Sequence, residues 1–144
     1  MKIAEILRHK GRGVVDIAPT DSLEAASQLM TVKGIGALVV RGVDGRLAGL
    51  LTERDIINAV AHRGPAGLGS RVADAMTREV ITCRPEDMVG DLMTLITLRR
   101  VRHVPVLENG AVIGIVSIGD VLKSRLEERA LEVAVLHDLS LMRG

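Results

Sequence analysis

Phenylalanine, tyrosine and tryptophan are all absent from the 144 residues. The core must therefore be built from Val, Ile, Leu, Met and Ala, and any bound base must be gripped by aliphatic side chains. The same absence removes the stacking platforms of single-strand nucleic-acid binders. There is no basic excess either: the formal net charge is +1, and a nucleic-acid partner is not expected. Cysteine occurs once, as Cys83, which excludes an intramolecular disulfide and a cysteine-based zinc cluster. Cys83 reads as a small hydrophobe on a strand, with a redox-sensing thiol as the alternative. No run of about 18 apolar residues occurs, and the start, Met1-Lys2-Ile3-Ala4-Glu5, carries charge where a signal peptide would be apolar. A cytoplasmic protein without a membrane segment is expected.

Catalytic signatures are missing as well. There is no Walker-type phosphate loop, no His-Glu-x-x-His and no Gly-x-Ser-x-Gly. His9, His62 and His137 lack metal-ligand spacing, so neither a metal nor a catalytic cofactor is expected. Glu53 and Asp55 could form a carboxylate pair, but the chain's own repeat gives Glu53 the counterpart Ile118. An enzyme is not the expected reading.

What is present is a balance of 47% hydrophobic and 26% charged residues, that of a globular chain able to bury a core. An internal repeat organises it. Val14-Val15-Asp16-Ile17-Ala18-Pro19-Thr20-Asp21 aligns with Val80-Ile81-Thr82-Cys83-Arg84-Pro85-Glu86-Asp87, an offset of 66 residues. One residue is lost in a later turn, and at an offset of 65 Gly49 to Asp55 faces Gly114 to Asp120. Upstream, Ile3 to Leu7 matches Val72 to Met76. The expected divisions are a first repeat over 1–63, a linker over 64–70 that is flexible by composition, a second repeat over 71–126 and a helical extension over 127–144.

Each copy reads as β-α-β-β-α. A β-rich run (Val14 to Ile17; Val80 to Cys83) leads to Asp21-Ser22 or Asp87, good helix N-cap chemistry. Leu23, Ala26 and Met30, or Val89, Leu92 and Ile96, follow at helical spacing, and Gly34 can end the first helix. Apolar runs on either side of Asp44-Gly45 and Asn109-Gly110 predict hairpins. A three-stranded sheet with helices on one face needs cover on the other, and the second copy is the natural cover. The expected fold is α+β: two tandem repeats packed sheet to sheet about a pseudo-two-fold axis, with two clefts. Beyond Asp120 the pattern is helical, with one stripe of Leu122, Leu126 and Val133 and another of Leu131, Val135, Leu139 and Met142. This suggests a dimerisation or docking helix, the alternative being that it folds back on its own domain.

The most informative local pattern is Gly-apolar-apolar-Thr/Ser-x-x-Asp, present as Gly49 to Asp55 and Gly114 to Asp120. Thr-x-x-Asp ahead of a helix is a capping box in its own right. A hydroxyl and a carboxylate on a first helical turn also suit a nucleotide, because the carboxylate accepts from ribose hydroxyls and the helix N-terminus favours phosphate. With Val72-Ala73-Asp74-Ala75-Met76-Thr77 and Arg102-His103-Val104-Pro105-Val106, these motifs make the chain to about residue 126 resemble a tandem of CBS domains, a Bateman module, of the stand-alone bacterial type.

The resemblance implies a regulatory module that binds AMP, ADP, ATP, S-adenosylmethionine or NAD as a regulatory ligand. It implies that Asp55 and Asp120 hold the ribose beside Thr52 and Ser117, and that Ile17, Ile81, Thr82 and Pro105 border the base. Arg54, Arg102 and His103 are the candidates for phosphate contact. The alternatives are that Arg54 and Arg102 are solvated or paired with Glu53 or Glu108, and that His103 is a satisfied strand histidine. The second copy has Arg102 to Pro105 where the first has Gly36 to Val39, so the cleft served by Asp120 is expected to be the more complete pocket. A homodimer is expected, with an enzyme or transporter as a regulated partner. The rival reading is an interaction module whose nucleotide site has decayed.

Overall fold

The computed structural model describes residues 1–11 and 13–143. Arg12 of the first expected repeat and Gly144 of the expected extension lie outside them.

Two small sheets face each other. In the first, β1 (Asp16–Ile17) pairs parallel with β2 (Ala37–Arg41), which pairs antiparallel with β3 (Leu47–Thr52). Between β1 and β2 runs α2 (Leu23–Lys33), started by the Ser22 side chain accepting from the Ala25 amide and ended by Gly34 in the left-handed conformation. After β3 comes α3 (Glu53–Arg63). β2 is buried on both faces. Leu38 and Val40 enter a core with Leu23, Ala26 and Met30, while Ala37 and Val39 meet Leu50 and Val112 between the sheets. That double burial is why β2 reads as an unbroken apolar run instead of an alternation.

The second repeat copies this plan with α5 (Val89–Arg99), β4 (His103–Glu108) and β5 (Ala111–Ser117). Its turn has Asn109 and Gly110 both at positive φ, 52° and 81°, the two-residue hairpin geometry that Asn-Gly favours. The expected strand over Val80 to Cys83 is reduced to one bridge, Cys83 with Val106. Proline is the reason. In the first repeat the Val39 amide donates to the Val15 carbonyl; the counterpart of Val39 is Pro105, which has no N–H to give.

The segments ahead of the repeats are exchanged. α1 (Ile3–Lys10) packs Ile3, Ile6 and Leu7 into the core of the second repeat, with Val89, Leu92, Ile96, Val104 and Val116. α4 (Val72–Ala75) packs Val72 into the core of the first, and Met76 follows it there. The backbone bonds match across the axis. Ile3 and Ala4 donate to the Asp87 and Pro85 carbonyls, as Val72 and Ala73 donate to those of Asp21 and Pro19. The expected flexible linker is instead a 3-10 helix, Gly64–Gly69. It lies so close to α3 that a Cβ on Gly67 would stand 2.6 Å from the Ala59 carbonyl oxygen.

α6 (Ile118–Arg143) is one continuous helix. Val121 and Ser124 are buried, but every residue from Arg129 to Met142 is exposed. The helix does not fold back on its own domain. No described helix is long and apolar enough to cross a membrane.

The exchange makes a specific prediction. Ile3→Ala should lower the unfolding free energy by about 2–5 kcal/mol, read by urea denaturation. In hydrogen exchange the Val104 and Val116 amides should lose more protection than those of Leu38 and Leu51. The reverse order would mean that α1 supports the repeat it precedes.

Candidate functional site

Both repeated motifs form capping boxes. The Asp55 Oδ2 accepts from the Thr52 amide at 2.9 Å and from the Thr52 Oγ1 at 3.2 Å, and the Asp55 amide donates back to Oγ1 at 3.4 Å. In the second copy Asp120 Oδ2 accepts from the Ser117 amide at 2.8 Å and the Asp120 amide donates to Ser117 Oγ at 3.1 Å. The box uses one carboxylate oxygen, and Oδ1 of each Asp has no hydrogen bond among the described residues. The motif glycines serve the exchange. A Cβ on Gly49 would stand 2.7 Å from Met76 Sδ, and one on Gly114 would stand 2.7 Å from Leu7 Cδ2.

Each cleft crosses the repeats. Thr52, Arg54 and Asp55 from the first repeat meet Val80, Ile81, Arg100, Arg102 and His103 from the second around a cavity of about 410 Å³. This lies at the low end of the volumes of small-molecule sites. Arg54, Arg100 and Arg102 form no ion pair and no side-chain hydrogen bond among the described residues, and each is exposed. The expected pairings with Glu53 or Glu108 are not made. Arg100 is a residue that motif reading missed. It occupies the left-handed position after α5, φ 54°, where the first repeat has Gly34 at φ 65°. The repeat alignment carried the signal, since Arg100 faces Gly34 at the offset of 66.

The other cleft, about 320 Å³, joins Ser117 and Ile115 to Val15 and the Gly34 to Ala37 segment. Arginines are replaced there by glycines. Lys10 fills the approach to the carboxylate, its Nζ donating to Asp120 Oδ2 and to the Ile115 carbonyl, both at 2.7 Å. Burial alone would raise the Asp120 carboxyl, but the hydrogen bonds from Lys10 and Ser117 outweigh it and hold the group below the usual carboxylate range. The expectation that the Asp120 cleft is the more complete pocket is therefore corrected. Arg102 lies on the Asp55 side, because the strand of one repeat faces the motif of the other.

His103 borders both clefts. Burial, then Lys10, lowers its pKa, with Glu53 and Asp120 opposing, so the imidazole is uncharged at neutral pH and offers hydrogen bonds instead of a positive charge. Ile17, Thr82 and Pro105 line neither cleft. Ile17 sits deep in the first core and Val15, two residues earlier, reaches the cleft in its place. Thr82 is half-buried, and Pro105 is buried opposite Ile115. Cys83 is buried, and burial followed by the Asp87 charge pushes its thiol up to about 12, which removes the thiolate a redox sensor needs. No cluster of metal-ligating side chains occurs among the described residues.

The sequence matches the CBS domain family over residues 3–62 and 72–127. It is 35% identical over 143 residues to the mitochondrial CBS domain-containing protein CBSX3 of Arabidopsis thaliana, covering 94% of this chain and 69% of that protein. Among solved structures, a CBS-domain containing protein of Agrobacterium tumefaciens superposes with a TM-score of 0.84 at 44% identity, over 86% of this chain and 92% of that one. A CBS domain protein of Pyrobaculum aerophilum, complexed with AMP, superposes with a TM-score of 0.74 at 26% identity, over 83% and 89%.

Arg100 provides a test of whether this cleft holds stored cost. A non-glycine residue in the left-handed region costs about 1 kcal/mol. Arg100→Gly should therefore raise the unfolding free energy by about 1 kcal/mol in chemical denaturation. A destabilised variant would show that the arginine makes a structural contact.

Proposed function

Since the chain belongs to the CBS-domain family, we propose that it is a regulatory module that binds an adenine nucleotide, AMP, ADP, ATP or NAD, in the cleft between Thr52-Asp55 and Ile81-Arg102. The observation that carries this reading is the convergence on one cavity of three unpaired guanidiniums, a carboxylate oxygen left free by its capping box, and an apolar wall. In this reading Asp55 Oδ1 accepts from ribose hydroxyls, Val80 and Ile81 pack on the base, and Arg54, Arg100 and Arg102 meet phosphate near the N-terminus of α3. Pro105 contributes indirectly. By withholding a strand N–H it leaves the Ile81 carbonyl, beside the cleft, without a donor among the described residues, and the amino group of adenine is such a donor. The AMP complex of the Pyrobaculum relative supports the choice of ligand class. Ligand that bridges the two repeats shifts their relative arrangement if it binds one arrangement more tightly, and a regulated enzyme or transporter would read that shift.

Calorimetric titration with AMP, ADP, ATP and NAD tests the site. Saturable binding is expected. Asp55→Ala should weaken it tenfold or more, since a charge-assisted hydrogen bond is worth about 1.5–3 kcal/mol. Arg54→Ala and Arg102→Ala should weaken the nucleotides but leave adenosine unaffected. No saturable heat from folded, ligand-free protein would favour the decayed interaction module instead.

The uncovered part of α6 supports a homodimer as the functional unit. Leu131, Val135 and Leu139 are 67%, 49% and 47% exposed on the segment from Arg129 to Met142, where no core holds the helix. A helical stretch of about 14 residues is marginal by itself in water, and a second copy offers a matching stripe. Sedimentation should give a dimer at micromolar concentration. Leu131→Glu combined with Leu139→Glu should give a monomer that still binds nucleotide; an unchanged mass would show that α6 does not form the contact.

A further inference from the structure

The two clefts are built from the same repeated motif, yet among the described residues only one has an ammonium set against its carboxylate. The cause lies in a short insertion. From Leu7 and Met76 to Val14 and Val80 the repeat offset falls from 69 to 66, so the first copy is three residues longer there. α1 accordingly runs on to Lys10 where α4 stops at Ala75. That added turn brings Lys10 to Asp120. The ammonium is held by two acceptors, the Asp120 Oδ2 and the Ile115 carbonyl, each at 2.7 Å. Asp55 has no such neighbour; its Oδ2 accepts only from Thr52.

We propose that the Asp120 cleft is a latent nucleoside site closed by the chain's own Lys10, whose ammonium lies against the carboxylate at Oδ2 and neutralises the charge that a ribose diol would otherwise engage. The inference builds on the nucleotide reading of the Asp55 cleft and sets its stoichiometry: one nucleotide per chain, not two. The rest of the cleft is compatible with a nucleoside. Ser117 and Asp120 keep the capping geometry of Thr52 and Asp55, Val15 and Ile115 give an apolar wall, and Gly34 and Gly36 leave space where the first cleft has Arg100 and Arg102. Without those arginines the latent site has less to hold phosphate. Once opened, it should discriminate little between adenosine and AMP. The Lys10 side chain is 41% exposed and that of Asp120 24% exposed, so the closure is reachable by solvent.

Equilibrium dialysis with adenosine and AMP, at up to millimolar ligand, tests this on the full chain. Wild type should bind one AMP, and Asp55→Ala should bind it tenfold more weakly or not at all. Lys10→Ala should bind two, and the double variant Asp55→Ala/Lys10→Ala should regain one site with similar affinity for adenosine and AMP, lost again on adding Asp120→Ala. Lys10→Met, which keeps the apolar stem, should behave like Lys10→Ala and serves if the alanine variant folds poorly. Two AMP per wild-type chain, or no site in either folded double variant, overturns the closure. The two readings fail differently. Wild type binding one AMP while the double variants bind none leaves the Asp55 site standing and removes the closure. Wild type binding none while Lys10→Ala binds one in an Asp120-dependent manner removes the Asp55 site and keeps the closure.

Discussion

Matching pairs of backbone hydrogen bonds join each repeat to the segment that precedes the other: Ile3 and Ala4 to Asp87 and Pro85, Val72 and Ala73 to Asp21 and Pro19. They satisfy amides at the starts of α1 and α4, which would otherwise be orphaned at a buried helix end. They also carry Ile3 and Leu7 into one core and Val72 into the other, all of them fully or almost fully buried. Neither repeat therefore closes its own core. A chain with no aromatic residue has only aliphatic volume to fill two cores with, and exchange lets each core draw on both ends of a repeat. The close approach of the exchanged segments leaves no room for a side chain at Gly49, where the Thr77 carbonyl stands, and at Gly114 would force the Leu7 side chain to move, so the glycine that opens each motif belongs to the packing, and the hydroxyl and carboxylate that follow are what a ligand can meet.

The same crossing decides what each cleft contains. With the sheets face to face about an axis, the motif at the end of β3 meets the strand and turn of the second repeat, and the motif at the end of β5 meets those of the first. Three arginines of the sequence thus gather at Asp55 and four glycines near Asp120. Repeat copies that diverge in their strands give their differences to the partner's cleft, not to their own.

Much of this was legible in the sequence. The repeat, the hairpins on Asp44-Gly45 and Asn109-Gly110, the Ser22 cap and the Gly34 stop all follow from local chemistry and recur in the structure. What was not legible is what depends on contacts distant along the chain. An alignment of two repeats states which residues are equivalent and is silent on which of them meet, so Arg102 was paired with the wrong carboxylate. Lys10 meets a residue 110 positions away, and nothing in a terminal helix announces that. Ile17 was placed at the base because its strand was known but its depth was not. The segment Arg63 to Ser70 reads as flexible because glycine permits flexibility; against α3 one of those glycines, Gly67, permits close packing instead.

The capping and ligand readings of the motif are often set against each other, and the geometry shows why they need not be. A capping box occupies one oxygen of the aspartate and fixes its rotamer, leaving the second oxygen oriented before any ligand arrives. The cap is then part of the preorganisation of the site. The charge balance follows the same logic. Around the Asp55 cleft Arg54, Arg100 and Arg102 are matched in number by Glu53, Asp55 and Glu79, so the site is near neutral in sum and contributes nothing to a basic excess in composition. In the proposed function, attraction for phosphate there comes from the three guanidiniums that form no ion pair among the described residues, and the capped carboxylate serves the hydrogen-bond-donating sugar. A net charge of +1 therefore argues against long-range capture of a polyanion and is compatible with short-range recognition of a single nucleotide.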